Sequence, residues 1–141
     1  MANGGGTVGV VVVTHGQLAT ELLNAAEMIV GDLPQFTAVS IGWHDDVDDA
    51  REDIAQAIAR VQTGDGVLLL TDMFGGTPSN LGITFLEKDK VEVITGVNLP
   101  MLIKIAGLQS SSDLLGVARQ MRDDGRAAIW VVTDLLQGEK P

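Results

Sequence analysis

A lone histidine follows an apolar run near the start of the chain. The run Val8–Val13 leads into Thr14-His15-Gly16, and a helical pattern begins within two residues. A neutral imidazole, with an ordinary pKa of about 6.5, can act as a nucleophile or a general base near neutral pH. A single histidine at a strand end is more often a capping or packing residue, so a chemical role requires further groups beside it.

A second polar stretch, "TDMFGGTPSN", follows another apolar run and supplies such groups. Asp72 is a carboxylate that can hold one nitrogen of an imidazole and leave the other nitrogen free to react. Gly75 and Gly76 permit a tight turn, and Thr77 followed by Pro78 predicts a helix with Thr77 as its N-cap. The unpaired N–H groups at such a helix start can bind phosphate or another anion.

A histidine, a carboxylate and an anion site together favour a phosphohistidine, because phosphoryl transfer depends chiefly on positioning and charge stabilisation. The residues alone leave simpler interpretations open: a plain anion site, an Asp72 that only caps the loop, and glycines that serve only the turn. No lysine follows the glycine pair, and no G-x-G-x-x-G follows the first strand. Neither a Walker A loop nor a dinucleotide site is therefore indicated.

Alternating apolar patterns predict the elements that must position these residues. The fold class is α/β: an open, mostly parallel sheet of about five strands with helices on both faces. The predicted strands are Thr7–Val13, Phe36–Ile41, Gly66–Leu70, Val91–Thr95 and Ala127–Val132. The predicted helices are Gln17–Val30, Asp45–Arg60, Thr77–Leu86, Leu99–Leu108 and Ser112–Asp124, the last opening at a Ser110-Ser111-Ser112 capping cluster.

The pattern indicates one domain over residues 1–141, with residues 1–6 and 135–141 as loose ends. Ligands of open parallel sheets collect at the carboxyl ends of the strands. We therefore expect His15 and Asp72 to share one rim of the sheet.

Composition disfavours several classes of function. With 9 Lys and Arg against 19 Asp and Glu, the formal charge is −10, which argues against binding to nucleic acid or an anionic membrane surface. The chain has no cysteine, and hence no thiolate ligand or nucleophile. No apolar run approaches the roughly 20 residues that span a bilayer, and the start lacks the pattern of a secretory signal. A cytoplasmic protein is expected.

The other histidine of the chain, His44, lies in the acid-rich stretch "HDDVDDARED". Isolated His–Asp pairs are common on protein surfaces, so no metal site is predicted there. We interpret the stretch as a solvated helix face whose early aspartates suit a helix N-terminus.

Four motifs occur together and in a fixed order between Val8 and Ile105: "THG", "AEMIVG", "GVLLLTDMFGGTPSN" and "EVITGVNLPML". In this combination the chain resembles the IIA component of the mannose family of the bacterial phosphoenolpyruvate-dependent sugar phosphotransferase system. The resemblance implies that His15 is transiently phosphorylated and that Asp72 is its acidic partner, the two forming the catalytic pair. It assigns the surroundings of the phosphoryl group to five residues: Phe74, Gly75, Gly76, Thr77 and Asn98.

The resemblance also implies partners. His15 would accept phosphate from the histidine-containing phosphocarrier protein and pass it to a IIB component, here expected on a separate chain. Members of the family are homodimers that exchange an antiparallel last strand, for which Ala127–Val132 is the candidate. No cofactor and no metal are implied, and the membrane would be met only through the transporter complex.

Other functions are compatible with the same residues. The phosphoryl-donor subunit of a dihydroxyacetone kinase would use the same histidine, and a regulatory protein would report its phosphorylation state. A flavodoxin-like or anion-binding module would use the rim without a phosphohistidine. The sequence does not name a sugar.

Overall fold

A computed structural model describes residues 7–108 and 113–138. The expected loose start at residues 1–6 and the capping cluster at residues 110–112 lie outside the described residues. The strands are β1 (Gly9–His15), β2 (Phe36–Ile41), β3 (Val67–Thr71) and β4 (Val91–Thr95). The helices are α1 (Leu18–Val30), α2 (Val47–Val61), α3 (Thr77–Ile83), α4 (Leu99–Ala106), α5 (Leu114–Ala127) and α6 (Val132–Leu136).

The sheet is parallel, as predicted, and its strand order is β2-β1-β3-β4. The chain adds β2 on one side of β1, and it then adds β3 and β4 on the other side. The winding therefore reverses between β1 and β3. Such a switch point opens a crevice at the carboxyl ends of the two strands. His15 ends β1 and Asp72 follows β3 directly, so both stand at this crevice.

Helices cover both faces of the sheet, which confirms that part of the predicted fold. On one face the core joins Val11 and Val13 to residues of α2 and α3. On the other face it joins Val10 and Val12 to residues of α1, α4 and α5. Because neither face meets water, β1 and β3 read as continuous apolar runs instead of alternating ones.

The predicted last strand, Ala127–Val132, is not a strand within the single chain, and its pairing with a second chain stays a prediction. Helix α5 continues to Ala127, residues 128–131 are irregular, and α6 begins at Val132. A strand needs hydrogen bonds to a neighbouring strand, and this segment pairs with none within the described residues. The sheet of the described residues has four strands instead of about five. Leu135 and Leu136, expected in a loose tail, end α6.

Candidate active site

His15 is the last residue of β1 and stands at the carboxyl rim of the sheet. Its register partner on β2 is Ile41, whose carbonyl accepts the N–H of Gly16 at 2.9 Å. Gly16 has a φ of 56°, which glycine adopts readily and which turns the chain into α1. The His15 side chain is 52% exposed, so an incoming group can reach the ring.

Thr14 anchors the turn behind the histidine. Its side chain is fully buried, and Oγ1 accepts the N–H of Ala19 in the first turn of α1 at 2.7 Å. The same hydroxyl donates to the carbonyl of His15 at 3.2 Å. The strand end and the start of α1 are thus tied together beneath the imidazole.

The Asp72 carboxylate holds one side of the imidazole. Its Oδ2 lies 2.8 Å from His15 Nδ1 and also accepts the backbone N–H of His15 at 3.1 Å. Its Oδ1 accepts the N–H of Met73 at 3.1 Å. An ionised carboxylate only accepts hydrogen bonds, so the proton of the neutral ring lies on Nδ1. The free lone pair is then on Nε2, across the ring from Asp72.

The pKa of Asp72 is lowered from its ordinary value of 3.8. Burial is the largest single influence and acts to raise this pKa. The hydrogen bonds from the ring and the backbone N–H of His15, together with the charge of His15, act in the opposite direction and outweigh it. Asp72 is consequently ionised at neutral pH and fixes the Nδ1–H tautomer.

The glycine pair brings the backbone close to the reactive side of the ring. Gly75 and Gly76 have φ values of 100° and 86°, a region that other residues rarely adopt. A Cβ built on Gly76 would lie 2.9 Å from His15 Nε2. Glycine at position 76 therefore keeps open the space beside Nε2.

Ser79 fixes this loop from behind. Its side chain is fully buried, and Oγ accepts the N–H of Gly75 at 2.7 Å. The hydroxyl also donates to the carbonyl of Gly76 at 3.4 Å. The N–H of Gly75 is thus engaged within the protein.

The prediction that Thr77 is the N-cap of α3 is wrong. Gly76 is the N-cap and Thr77 is the first helical residue, because the two-glycine turn brings the chain into helical geometry one residue earlier. Thr77 is exposed. Within the described part of the chain, neither the Thr77 hydroxyl nor the backbone N–H groups of Gly76 and Thr77 have a hydrogen-bond partner.

Asn98 follows β4, the strand next to β3, and its side chain is engaged between two helices. Asn98 is the N-cap of α4, beyond β4, which is not a neighbour of β1. Its Oδ1 accepts the N–H of Met101 at 3.1 Å, and its Nδ2 donates to the carbonyl of Gly125 at 3.0 Å. The structure gives Asn98 a role in joining α4 to α5, and its contact with a phosphoryl group stays a prediction. Phe74 lies in the loop after β3 with 75% of its surface exposed.

Comparison with known proteins decides the family. The family model described as "PTS system fructose IIA component", for the mannose-type IIA domain, matches residues 9–121. The matched part contains His15, Asp72 and the whole glycine loop. The chain belongs to this family.

Two curated relatives and one solved structure illustrate the match. The mannose-specific EIIAB component of Escherichia coli strain K12 is 36% identical over 104 residues, covering 70% of this chain and 31% of that protein. The fructose-specific EIIA component of Bacillus subtilis strain 168 is 26% identical over 134 residues, covering 94% of this chain and 92% of that protein. The chain thus spans about a third of the length of the first of these relatives.

The solved structure shares the fold. It is the PTS IIA protein associated with the fucose utilization operon from Streptococcus pneumoniae, with a TM-score of 0.82 and 24% identity. The alignment covers 96% of this chain and 99% of that chain.

Two structural residues of this IIA protein were missed by sequence reasoning. Thr14 and Ser79 look like ordinary polar residues in the sequence, and only the folded chain shows that each hydroxyl is buried against a backbone N–H. The available signals were a hydroxyl at the end of an all-valine run and a second one in the first turn of α3. The hydroxyls of Thr14 and Ser79 each form a hydrogen bond directly beneath the site.

His44 takes no part in the site of this IIA protein. It is exposed in the loop after β2, and no cluster of three or more possible ligands for a metal ion occurs within residues 7–108 and 113–138. In those same residues no helix combines the length and the apolar character needed to cross a lipid bilayer.

Proposed function

We propose that this IIA protein carries a phosphoryl group on Nε2 of His15, accepting it from the histidine-containing phosphocarrier protein and passing it to a IIB component. The observation that carries the proposal is the 2.8 Å contact of Nδ1 with Asp72, which leaves Nε2 of the half-exposed ring without that partner, beside Gly76. The sugar is not specified by these residues.

The transfer needs no net movement of a proton. The Nε2 lone pair attacks the phosphorus of a donor phosphohistidine, a new N–P bond forms, and the donor N–P bond breaks with its electrons returning to the donor imidazole. Positive charge develops on the His15 ring, which keeps its Nδ1 proton. The ionised Asp72 stabilises this charge, as a carboxylate does for an imidazolium. Transfer to the acceptor runs the same steps in reverse.

The phosphoryl oxygens are proposed to bind to free donors of the glycine loop, which approaches Nε2 at Gly76. These are the N–H groups of Gly76 and Thr77 and the Thr77 hydroxyl. Oriented backbone donors in a turn favour negative charge, and they require no reorganisation when the charge arrives. Phe74 is proposed to border this space, and Gly75 to shape it through its turn.

We also propose that the protein is a homodimer in which residues 127–132 pair antiparallel with β4 of a second copy. Two features support this. Apart from the bridge between Val91 and Glu87, no strand of the described residues pairs with the outer edge of β4, and Ile129, Val131 and Val132 are 66%, 67% and 62% exposed. Exposed β-branched residues next to an open strand edge favour pairing between chains.

The histidine assignment has a direct test, because the chain contains only two histidines. The protein is incubated with phosphoenolpyruvate and the two general proteins of the phosphotransferase system, and phosphate uptake is read by intact mass. The wild-type protein should gain one phosphoryl group that is lost in acid. His15→Ala should gain none, and His44→Ala should behave as the wild type.

Uptake by His15→Ala, or loss of uptake in His44→Ala with His15 intact, would contradict the assignment. The stability of the adduct in acid also tests the nature of the bond, since an acid-stable adduct would not be a phosphohistidine.

A further inference from the structure

Thr71, the last residue of β3, carries a hydroxyl that the proposed transfer does not use. Its side chain is fully buried, although it stands directly before Asp72. The strand register pairs Thr71 with Val13 of β1 and with Thr95 of β4, so it lies inside the sheet behind the site. Burying a hydroxyl without a hydrogen-bond partner is unfavourable, so the partner of this one indicates what it does.

The Thr71 hydroxyl is bonded to the loop that carries the site. Its Oγ1 donates to the carbonyl of Met73 at 3.2 Å. The N–H of the same residue, Met73, donates to Asp72 Oδ1 at 3.1 Å. Met73 is thus held at its N–H by the carboxylate and at its carbonyl by the buried hydroxyl. The conformation of the loop beside Asp72 is therefore tied to Thr71.

The remaining groups of Thr71 hold the residue in place. Its carbonyl accepts the N–H groups of Gly96 and Val97, at 2.9 and 3.0 Å, which lie in the loop after β4. A Cβ built on Gly82 would lie 3.6 Å from Thr71 Cγ2, so the methyl group faces α3. The hydroxyl therefore acts on the Asp72 loop from a point that three elements fix.

The Asp72 carboxylate depends on this loop for its orientation. Oδ2 lies 2.8 Å from His15 Nδ1 and 3.1 Å from the backbone nitrogen of His15, while Oδ1 is turned back to the N–H of Met73. A rotated Met73 peptide unit would withdraw that N–H, and the carboxylate could turn away from the ring. An imidazole released from the carboxylate can carry its proton on either nitrogen.

We propose that Thr71 is a positioning residue for the phosphoryl transfer: its buried hydroxyl holds the Met73 peptide unit so that the Asp72 carboxylate stays on Nδ1 of the imidazole. This inference rests on the proposed function, since it names a further residue that serves the same site. Thr71 does not touch the reacting atoms and acts only through Asp72. No bond to Thr71 forms or breaks during the transfer.

Two substitutions separate the hydroxyl from the rest of the side chain. Thr71→Val keeps the shape and loses the hydroxyl, whereas Thr71→Ser keeps the hydroxyl and loses the methyl contact with α3. Thr71→Val should slow phosphate uptake at saturating phosphocarrier protein by about tenfold or more, because small displacements of a positioning group lower rates strongly. Thr71→Ser should keep the wild-type rate. The control is Thr95→Val, the same change at the half-buried register partner on β4, which should also keep that rate.

The tautomer of His15 gives a second measurement that does not depend on transfer. In a His44→Ala background His15 is the only histidine of the chain. Nitrogen-15 NMR of the ring at alkaline pH, where an imidazole is neutral, then shows which nitrogen carries the proton. With Thr71 intact the proton should be on Nδ1. Thr71→Val should give a mixture of the two tautomers, whereas Thr71→Ser and Thr95→Val should not.

A double-mutant cycle tests the route through Asp72. Added to Asp72→Asn, Thr71→Val should slow uptake by about twofold at most, because two residues that act through one contact are not additive. A full additional loss overturns the inference.

The other outcomes are equally decisive. A Thr71→Val protein with the wild-type rate and one tautomer overturns the inference, and so does a Thr71→Ser protein that loses as much rate, since packing would then matter instead of the hydroxyl. If circular dichroism shows that Thr71→Val does not fold, Thr71→Ala removes the same hydroxyl and must show the mixed tautomers. If the wild type takes up no phosphate, the proposed function fails, and the tautomers still decide whether Thr71 positions Asp72.

Discussion

At the scale of single residues, one carboxylate determines which nitrogen of His15 can react. Asp72 accepts from Nδ1, and its lowered pKa keeps it an acceptor at neutral pH. An asparagine has the same shape but also offers an N–H group. It can therefore hold the ring with the proton on Nε2, where a proton blocks the attack on phosphorus.

We expect Asp72→Asn to slow phosphate uptake by about 100-fold or more, because the same substitution beside the histidine of a Ser-His-Asp triad selects the wrong tautomer and lowers kcat by about 10⁴. The measurement is the rate of mass gain at saturating donor. Asp32→Asn, at the opposite rim after α1, provides the control and should keep the wild-type rate. An Asp72→Asn protein that reacts as fast as the wild type would show that tautomer selection does not limit transfer.

The same pair predicts the pH dependence of stability. Because the pKa of Asp72 is lowered in the folded protein, its ionised form stabilises the fold at pH values above 3.8, and this contribution disappears as the pH falls through the lower folded pKa. Urea unfolding of wild type and Asp72→Asn should thus show a difference in free energy that shrinks on acidification below pH 3.8. If the difference in unfolding free energy between the two proteins stayed constant below pH 3.8, the downward shift of the Asp72 pKa would be contradicted.

At the scale of elements, the loop between β3 and α3 owes its shape to a side chain that never meets the phosphate. Ser79 accepts the N–H of Gly75 from a fully buried position. Ser79→Ala should lower the free energy of unfolding by about 1–2 kcal/mol, because an N–H is left without its partner. It should also slow uptake, because the loop amides beside Nε2 lose their support.

The control for Ser79 is Ser40→Ala, whose hydroxyl lies 3.2 Å from that of Thr20 at an exposed position. Chemical unfolding should place this variant within about 0.5 kcal/mol of the wild type, as for most surface changes. Equal stability of the two variants would show that Ser79 is not the support of the loop.

Elements differ in how far the sequence predicts them. The four parallel strands were found because two-sided burial leaves long apolar runs, and their shared rim placed His15 near Asp72. Boundaries were less accurate: β1 reaches His15 instead of Val13, since pairing with β2 extends to Ile41. The prediction that Thr77 is the N-cap was wrong because Gly76, with its positive φ, occupies that position. The start of α3 is therefore set by backbone geometry and not by the side-chain preference of the N-cap.

The last segment was assigned as a strand because Ile129 to Val132 are β-branched or aromatic, which favours strands. Strand propensity describes how well a residue fits a pleated surface. A strand also needs a neighbouring strand to which it can hydrogen-bond, and propensity says nothing about that neighbour. Among the described residues of one chain the segment has no such neighbour, so the pattern alone could not determine its conformation. The buried roles of Thr14 and Ser79 escaped prediction for a similar reason, since each depends on a distant part of the fold.

At the scale of the whole molecule, the two ends of the sheet are not equivalent. The β4 end borders a groove of about 420 Å³ between β4 and α5, lined by Ile94, Leu115 and Ile129 along with Arg119, Arg122 and Arg126. The irregular segment after α5 presents apolar side chains beside this groove. A second copy that lays its own segment along β4 would bury these side chains and complete the sheet edge.

This arrangement makes the assembly state sensitive to one exposed position. Val131 is 67% exposed in the single chain, so a lysine there costs little when the chain is alone. In the proposed dimer the same lysine would lie in a strand between two subunits, where an unpaired charge is unfavourable. We expect the wild type to sediment as a dimer of 14.8 kDa chains and Val131→Lys to dissociate at much higher protein concentration. Met28→Lys changes an 88% exposed residue of α1, a helix that packs on β1, β2 and α4, and should leave the dimer intact. A monomeric wild type, or a Val131→Lys protein that dimerises as tightly as Met28→Lys, would show that the segment does not join two subunits.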